Sequence, residues 1–597
     1  MNHRIGPLAV GTVLGLIAAS YAASVVFMFF ARIDTDLARP WSIYQYLYSY
    51  AHDAYHYPGL SKAFLFAGVA ALMVAAGMLT LAVNFKRPNT YGDARWARRH
   101  EIKEAGLLGQ TGLLIGKLFN TDLCAEGPLH VLVFAPTRSG KGVGFVVPNL
   151  LHWPGSVICH DIKGENFRIT SGFRAAHGQK VFFFNPADPD GNTHRYNPLD
   201  FVSTEPGRRV DDVQKIAHLL LPGDAKDFWP VEARTLFVGL SLYLLDIKPY
   251  PATFGNVLRT TRMHANFVEF VTGVLEQHRD NLDPNAFMAL NAFLQKAPKE
   301  QSGVLSTLSS ALELWANPVI DAATSRSDFD LHTLKKERTT IYVGVTPNNL
   351  RRMKPLLQVF YQQALDFLTT NEPGPDEPHK VLLLMDEFTS LQRMQQFEDS
   401  IAFLASYGVR LMTIIQSPSQ VESYYGKAGM RTFFANSKIR VAYAANDYET
   451  AEMISQLLGT QTIIRRSKSV SRPIGLTGSN SGSASDSESE VARPLLLPQE
   501  LLQLNPKKEI VLVEGYPPVK AKKMRYHEDK RFKDRLYPPV GVPKVSLKER
   551  PPMPAAPAKS PALDETELAA VLSAVDGAES PPTQGSERPR KGSGKHS

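Results

Sequence analysis

The run APTRSGKG (135–142) carries the densest chemical signal in the sequence. An apolar β-branched run, 131–134, leads into it, and an apolar helical pattern follows. Strand, glycine-bearing loop, helix is the order that aims backbone N–H groups at a phosphate and adds the positive end of a helix dipole. Ala135, Pro136, Thr137, Arg138, Ser139, Gly140, Lys141 and Gly142 are the expected phosphate contacts of a nucleoside triphosphate, with Lys141 reaching the outer phosphates. Two positions depart from GxxxxGK[ST]: Ala135 replaces the first glycine, and Gly142 replaces the hydroxyl residue that ordinarily ligates Mg2+. A metal ion here must lean on water and on a second acidic motif.

That motif is KVLLLMDE (380–387), an apolar run ending in two carboxylates. A buried parallel strand reads as such a run, and ligands gather at the carboxyl ends of such strands. Asp386 is then placed to hold Mg2+, directly or through water, and Glu387 to polarise the attacking water. A third strand-like run, VRLMTII (409–415), ends in Gln416, whose amide falls beside the γ-phosphate if the two strands are neighbours. Together these residues point to nucleotide hydrolysis.

These side chains need a scaffold. Strand-like runs at 130–135, 156–161, 180–184, 339–345, 380–385, 409–415, 438–443 and 509–514 alternate with helical patterns, which predicts an α/β fold with a parallel sheet. Between 205 and 328 strand signals vanish. Apolar residues recur there at helical spacing, as in Ala233, Leu236, Phe237, Leu240 and Leu244. The expected organisation is a nucleotide-binding domain over 87–204 and 329–535, interrupted by an all-helical inserted domain, 205–328. The Ser/Gly-rich stretch 467–490 reads as a flexible loop, and the tail 536–597 as disordered, with 564–575 a short helical pattern inside it.

Residues 1–86 read as a membrane anchor. The runs 8–31 and 63–85 are each long enough to span a bilayer, which takes about 20 apolar residues. Lys86, Arg87, Arg95, Arg98 and Arg99 follow the second run and put that side in the cytoplasm. The loop 32–62 then faces the other side. It is rich in aromatic residues, and its His52 and His56 read as surface residues rather than a metal site.

The whole chain of 597 residues is long enough for several cores, and its net charge of +8 suits nucleic acid or an anionic membrane face. Two cysteines, Cys124 and Cys159, make neither a disulfide framework nor a zinc site.

The ordered set TYGDARWA (90–97), APTRSGKGVG (135–144), HDIKGENF (160–167), RYNPLDF (195–201), DFWPVEARTLF (227–237), LLLMDEF (382–388), IIQS (414–417), RPLLLPQEL (493–501) and EGYPPVKAKKMRY (514–526) resembles the TraG/TraD-like coupling proteins of type IV secretion systems. The resemblance implies a RecA-like P-loop ATPase using ATP and Mg2+, held in the bacterial inner membrane by two N-terminal helices. It implies a homo-hexameric ring that receives a relaxase on single-stranded DNA, or effector proteins, and passes them to the inner-membrane and ATPase components of a secretion channel. By the same analogy Asp161, Lys163 and Glu165 lie on the site side of the sheet. A ring ATPase also takes an arginine from the neighbouring subunit, for which Arg351, Arg352, Arg410 and Arg440 stand available. Two other readings share these motifs. One is a double-stranded DNA translocase resembling FtsK or HerA; the other is a membrane receptor in which nucleotide sets conformation without hydrolysis.

Overall fold

The computed structural model describes residues 5–50, 52–53, 58–84, 90–248, 250–264, 266–471 and 483–546. His56, the 564–575 pattern and the remainder of the tail beyond 546 lie outside them. The chain divides into two compact units, one of residues 1–93 with 461–492, the other of 94–460 with 493–597.

In the first unit, helices Ile5–Ala31 and Pro58–Asn84 run antiparallel and pack against each other. A Cβ on Gly15 would stand 3.1 Å from Met78 Cβ, so the backbones approach closely where the side chain is missing. At the other end Phe27 meets Phe64 with ring centroids 4.5 Å apart. Windows within both helices (Val13–Ala31 and Gly59–Met78) are long and apolar enough to cross a membrane. The loop between them holds a helix, Ser42–Tyr50, whose Ile43 N–H donates to Ser24 Oγ at 2.9 Å.

Residues 467–490 are not a loop throughout. Strands β10 (Thr460–Ser471) and β11 (Ser483–Pro494) pair as a two-stranded ribbon. The composition is polar, but the charges are complementary: Arg466 pairs with Glu488 at 2.9 Å and Lys468 with Asp486 at 3.9 Å. Cross-strand charge pairs of this kind support a ribbon that has few apolar residues.

The second unit is built on one sheet. Its strands are β1 (Leu113–Leu118), β2 (Thr121–Ala125), β3 (Val131–Phe134), β4 (Ser156–His160), β5 (Lys180–Phe184), β6 (Thr339–Val343), β7 (Val381–Met385), β8 (Val409–Ile415), β9 (Ile439–Ala442), β12 (Lys508–Val513) and β13 (Val519–Lys522). They lie in the order β2-β1-β13-β12-β9-β3-β8-β7-β4-β6-β5. From β9 to β5 the pairing is parallel. From β9 outward through β12, β13, β1 and β2 it is antiparallel, so the 509–514 run, expected in the parallel sheet, joins it as an antiparallel strand.

The parallel strands are apolar on both faces because both are covered. Leu132, Phe134, Ile158, Leu383 and Leu411 join a core that continues into the helices between β5 and β6, with Phe237, Phe254 and Trp315. Val131, Val133, Val157, Cys159, Leu382 and Met412 face the opposite way, onto Leu150 and Phe167. The 205–328 stretch is helical with no strand among its described residues, and Ala233, Leu236, Phe237, Leu240 and Leu244 are all buried in helix Phe228–Ile247. It shares its core with the sheet and falls in the same compact unit rather than separating from it.

The first stretch of the tail is placed as well. Val540 N–H donates to Ser171 Oγ at 3.3 Å, Thr193 N–H to Pro543 O at 3.0 Å, and Val545 N–H to Gly191 O at 2.8 Å. Val545 is buried. The expectation of disorder from 536 therefore fails for 536–546, where apolar valines anchor a proline-spaced extended chain.

Candidate nucleotide site

The register puts Phe134 beside Ile415 and Met385 beside Thr413. The segments that begin at 135, 386 and 416 thus open together on the carboxyl edge of the parallel sheet. This is where an open α/β sheet binds its ligand.

Ala135 prolongs the strand: its N–H donates to Ile415 O at 2.9 Å and the residue is fully buried. Its φ is not positive, so no glycine is required at the first position of the motif. The loop turns at Arg138 (φ 62°) and Gly140 (φ 84°), with Ser139 N–H donating to Pro136 O at 3.1 Å. The following helix begins as a π-turn over Gly142–Val146 before continuing as Val147–His152. A π-turn of this kind often marks a functional site.

Lys141 Nζ lies 2.9 Å from Asp386 Oδ1 and donates to Glu387 Oε1 at 3.0 Å. The Asp386 contact is a close ion pair without hydrogen-bond geometry, and that buried oxygen has no hydrogen-bond partner. Burial raises the Asp386 pKa, against the opposing pull of Lys141. Glu387 sits in the left-handed region at φ 57°, a strained backbone for a non-glycine residue. Gln416 Oε1 accepts from Thr137 Oγ1 at 3.1 Å. The same oxygen accepts from Gln420 Nε2 at 3.4 Å, and Gln420 Oε1 accepts from Thr389 Oγ1 at 3.2 Å. A polar chain therefore links the phosphate loop to the segment after Glu387.

Residues 95–549 match the family described as type IV secretory system conjugative DNA transfer. The chain belongs to this family. Its role is that of a coupling protein in conjugation or secretion. It is 34% identical to protein VirD4 of Agrobacterium fabrum, over 89% of this chain and 79% of that one. It is 31% identical to the conjugal transfer protein TraG of Escherichia coli, over 92% and 96% of the two chains. The fold resembles the plasmid coupling protein TrwB solved with ADP and Mg2+, with a TM-score of 0.52 at 16% identity over 74% of this chain and 96% of that one.

The rest of this coupling protein's site was less visible in its sequence. Asp161 is buried and accepts from Phe167 N–H at 2.8 Å, capping the start of helix Glu165–Ala176. Burial pushes its carboxyl up to about 6, against hydrogen bonds from the Phe167 and Asn166 backbone. Its neighbour Asn166 helps lower the pKa of Asp386, against the rise that burial causes. Asp161 supports the site from behind, while Lys163 and Glu165 are exposed. His160 is buried beneath them, between Ser390 Oγ (3.2 Å) and Tyr361 OH (3.2 Å), and burial lowers its pKa to about 3.

Lys523 was missed altogether. Its Nζ donates to Ser139 O at 3.1 Å and lies 3.4 Å from the centre of the Tyr443 ring. Glu509 on β12 is fully buried nearby, and neither carboxylate oxygen has a hydrogen-bond partner. Tyr526 N–H donates to Val143 O at 3.4 Å, and a Cβ on Gly144 would stand 2.9 Å from Met524 O. No local pattern signals these contacts, because they join residues nearly 400 positions apart.

Of the four arginines, Arg410 does not lie at this edge. It sits at the amino end of β8, buried within the chain. Arg440 is half-buried, with Nη2 donating to Phe434 O at 3.1 Å. Arg351 and Arg352 are exposed at the start of helix Leu350–Thr369, which follows β6 on the carboxyl side.

Proposed function

We propose that the chain is an ATP-hydrolysing coupling protein whose cycle turns on Lys141 exchanging partners. The observation that carries this reading is the Lys141 ammonium lying between Asp386 and Glu387. A nucleotide brings phosphates that compete for Lys141. The two carboxylates are then released for their own tasks, Asp386 toward the metal and Glu387 toward water. The Asp386 oxygen that Lys141 leaves accepts no hydrogen bond and is the donor a Mg2+ ion would need, with Mg2+ supplying charge neutralisation at the phosphates. TrwB, whose fold is shared, has been solved with ADP and Mg2+, which supports the pair of cofactors.

Residues 135–142 hold the phosphates in this reading, and Gln416 senses the γ-phosphate through Thr137. Arg351 or Arg352 reaches the neighbouring subunit's nucleotide in a homo-hexameric ring. The two apolar N-terminal helices hold the chain in the bacterial inner membrane, with the ATPase unit in the cytoplasm. Family membership supports cargo of relaxase with single-stranded DNA, or effector proteins, handed to the other components of a type IV channel.

The test is ATP hydrolysis by the full chain in detergent or nanodiscs, with and without single-stranded DNA, against Lys141→Ala. Turnover that disappears in the variant is the expected result. Turnover that persists in the variant, or nucleotide binding without any turnover, sinks the hydrolytic reading.

A further inference from the structure

At the amino edge of the parallel sheet, opposite the nucleotide loop, lies a cavity of about 760 Å3. The volume is that of an ordinary small-ligand site. Its walls come from the segments that enter the strands: Gly127 before β3, Trp153 before β4, Arg338 before β6, Lys380 before β7 and Arg410 at the start of β8.

The charge is one-sided. Arg338 and Lys380 are exposed on the rim, and neither makes a salt bridge among the described residues, though Lys380, after the hydrogen bonds from Thr111 and Gln110, stands close enough to Glu126 to help lower its pKa. Arg410 is only 4% exposed. Its Nε donates to Gly127 O at 2.9 Å and its Nη1 to Ala405 O and Val409 O at 3.1 Å each. Nη2 has no partner among the described residues, and no carboxylate balances the guanidinium. Lining carboxylate chemistry is confined to Glu126, which is already held by the N–H groups of Gln110 (2.9 Å) and Thr111 (3.0 Å) and by the Thr111 hydroxyl (3.1 Å). A buried cation without a counter-ion is costly unless a ligand supplies the charge.

We propose that this cavity is a second anion site, taking the phosphate of a nucleotide, free or within a single strand, with Arg410 at its floor and Arg338 and Lys380 at its rim. Arginine with a free N–H face suits a phosphate oxygen, and the rim cations add reach along a strand. Lys380 leads into β7 at this end, and β7 leads to Asp386 and Glu387 at the other; β8 carries Arg410 and leads to Gln416. Occupancy at one edge is thus tied to the catalytic edge by two strands about 17–23 Å long.

The choice of a nucleic-acid probe rests on the coupling-protein reading; the phosphate chemistry does not. The experiment uses the full chain in nanodiscs, wild type and Arg338→Glu/Lys380→Glu. Two ligands are titrated: a fluorescent twenty-residue oligothymidylate across a salt series, and thymidine 5′-monophosphate by calorimetry. Basal ATPase and the thermal midpoint are read on the same samples and are expected to be unchanged; the midpoint certifies the fold even where the hydrolytic reading fails. The expected result is at least a tenfold weaker affinity for one or both ligands, with a shallower salt dependence for the strand. Loss confined to the strand assigns the pocket to a polynucleotide, and loss confined to the monophosphate assigns it to a free nucleotide. Restored binding in Arg338→Lys/Lys380→Arg confirms a charge effect. Unchanged affinity for both ligands overturns the proposal.

Discussion

Lys141 Nζ lies 2.9 Å from Asp386 Oδ1, a buried carboxylate oxygen with no hydrogen bond to anything else. The lysine therefore occupies the place where a divalent ion has most to gain. Without nucleotide the two cations compete for one carboxylate. Lys141→Ala is expected to bind Mn2+ several-fold more tightly than wild type in the absence of nucleotide, as read by electron paramagnetic resonance, while losing ATP turnover. Equal Mn2+ affinity in the two proteins would show that Lys141 does not guard the site.

Glu387→Gln keeps an acceptor for Lys141 but removes the charge that, in the proposed function, polarises water. Turnover is expected to fall about 10²–10⁴-fold. Nucleotide affinity should stay within about threefold, since the phosphate loop is untouched. Measuring phosphate release beside equilibrium nucleotide binding separates the two quantities, and a variant that turns over normally removes Glu387 from its role.

Gly142 faces open space: a Cβ there meets nothing within 4 Å. Gly142→Ser is therefore expected to fold normally and to restore the hydroxyl that the motif lacks. The Mg2+ concentration giving half-maximal turnover should fall by a few-fold. A rise instead would mean that the π-turn at Gly142–Val146 depends on the missing side chain.

Glu509 links stability to pH. Burial raises its folded pKa from 4.5 to about 8, with Lys523 opposing. The native state then holds a proton that the unfolded state has lost between those values. Stability from this group is full below about 4.5 and is lost as pH rises through about 8. Burial also lowers the Lys523 pKa to about 8, so its contribution runs the other way above that pH. Glu509→Gln should flatten the decline in thermal midpoint between pH 6 and pH 8, and parallel declines in the two proteins would refute the assignment.

Lys523 holds the loop at 135–142 through the Ser139 carbonyl, and in the proposed function it is a positioning residue that does not touch the reacting atoms. Lys523→Met is expected to raise the KM for ATP by about three- to tenfold with a smaller change in kcat. Lys523→Arg should recover part of the loss. An unchanged KM in the methionine variant would make the contact merely structural.

The central strands were legible because burial on both faces leaves an unbroken apolar run, as in Val381–Met385. The same rule hid the edge. β13 reads Val-Lys-Ala-Lys, buried and exposed in alternation, and β1 is broken by Gly116 and Lys117. The site residues Lys141, Asp386, Glu387 and Gln416 were visible because each ends or follows such a run. Asp161 was visible as a polar residue there, but its place behind Asn166 was not. Lys523 sits in a basic stretch, KAKKMR, and what sets it apart is its partners far away in sequence, Ser139 in the loop after β3 and the Tyr443 ring.

Where Lys523 meets Ser139, the chain closes a circuit that begins near residue 107 and ends near 526. β13 pairs with β1 and with β12, and the segment after it lies on the first turn beyond the phosphate loop. During synthesis the loop at 135–142 leaves the ribosome well before this clasp does. A nascent chain thus carries that loop before the segment that backs it exists. The order of the sequence itself delays a complete candidate nucleotide site until the 508–526 segment has been made.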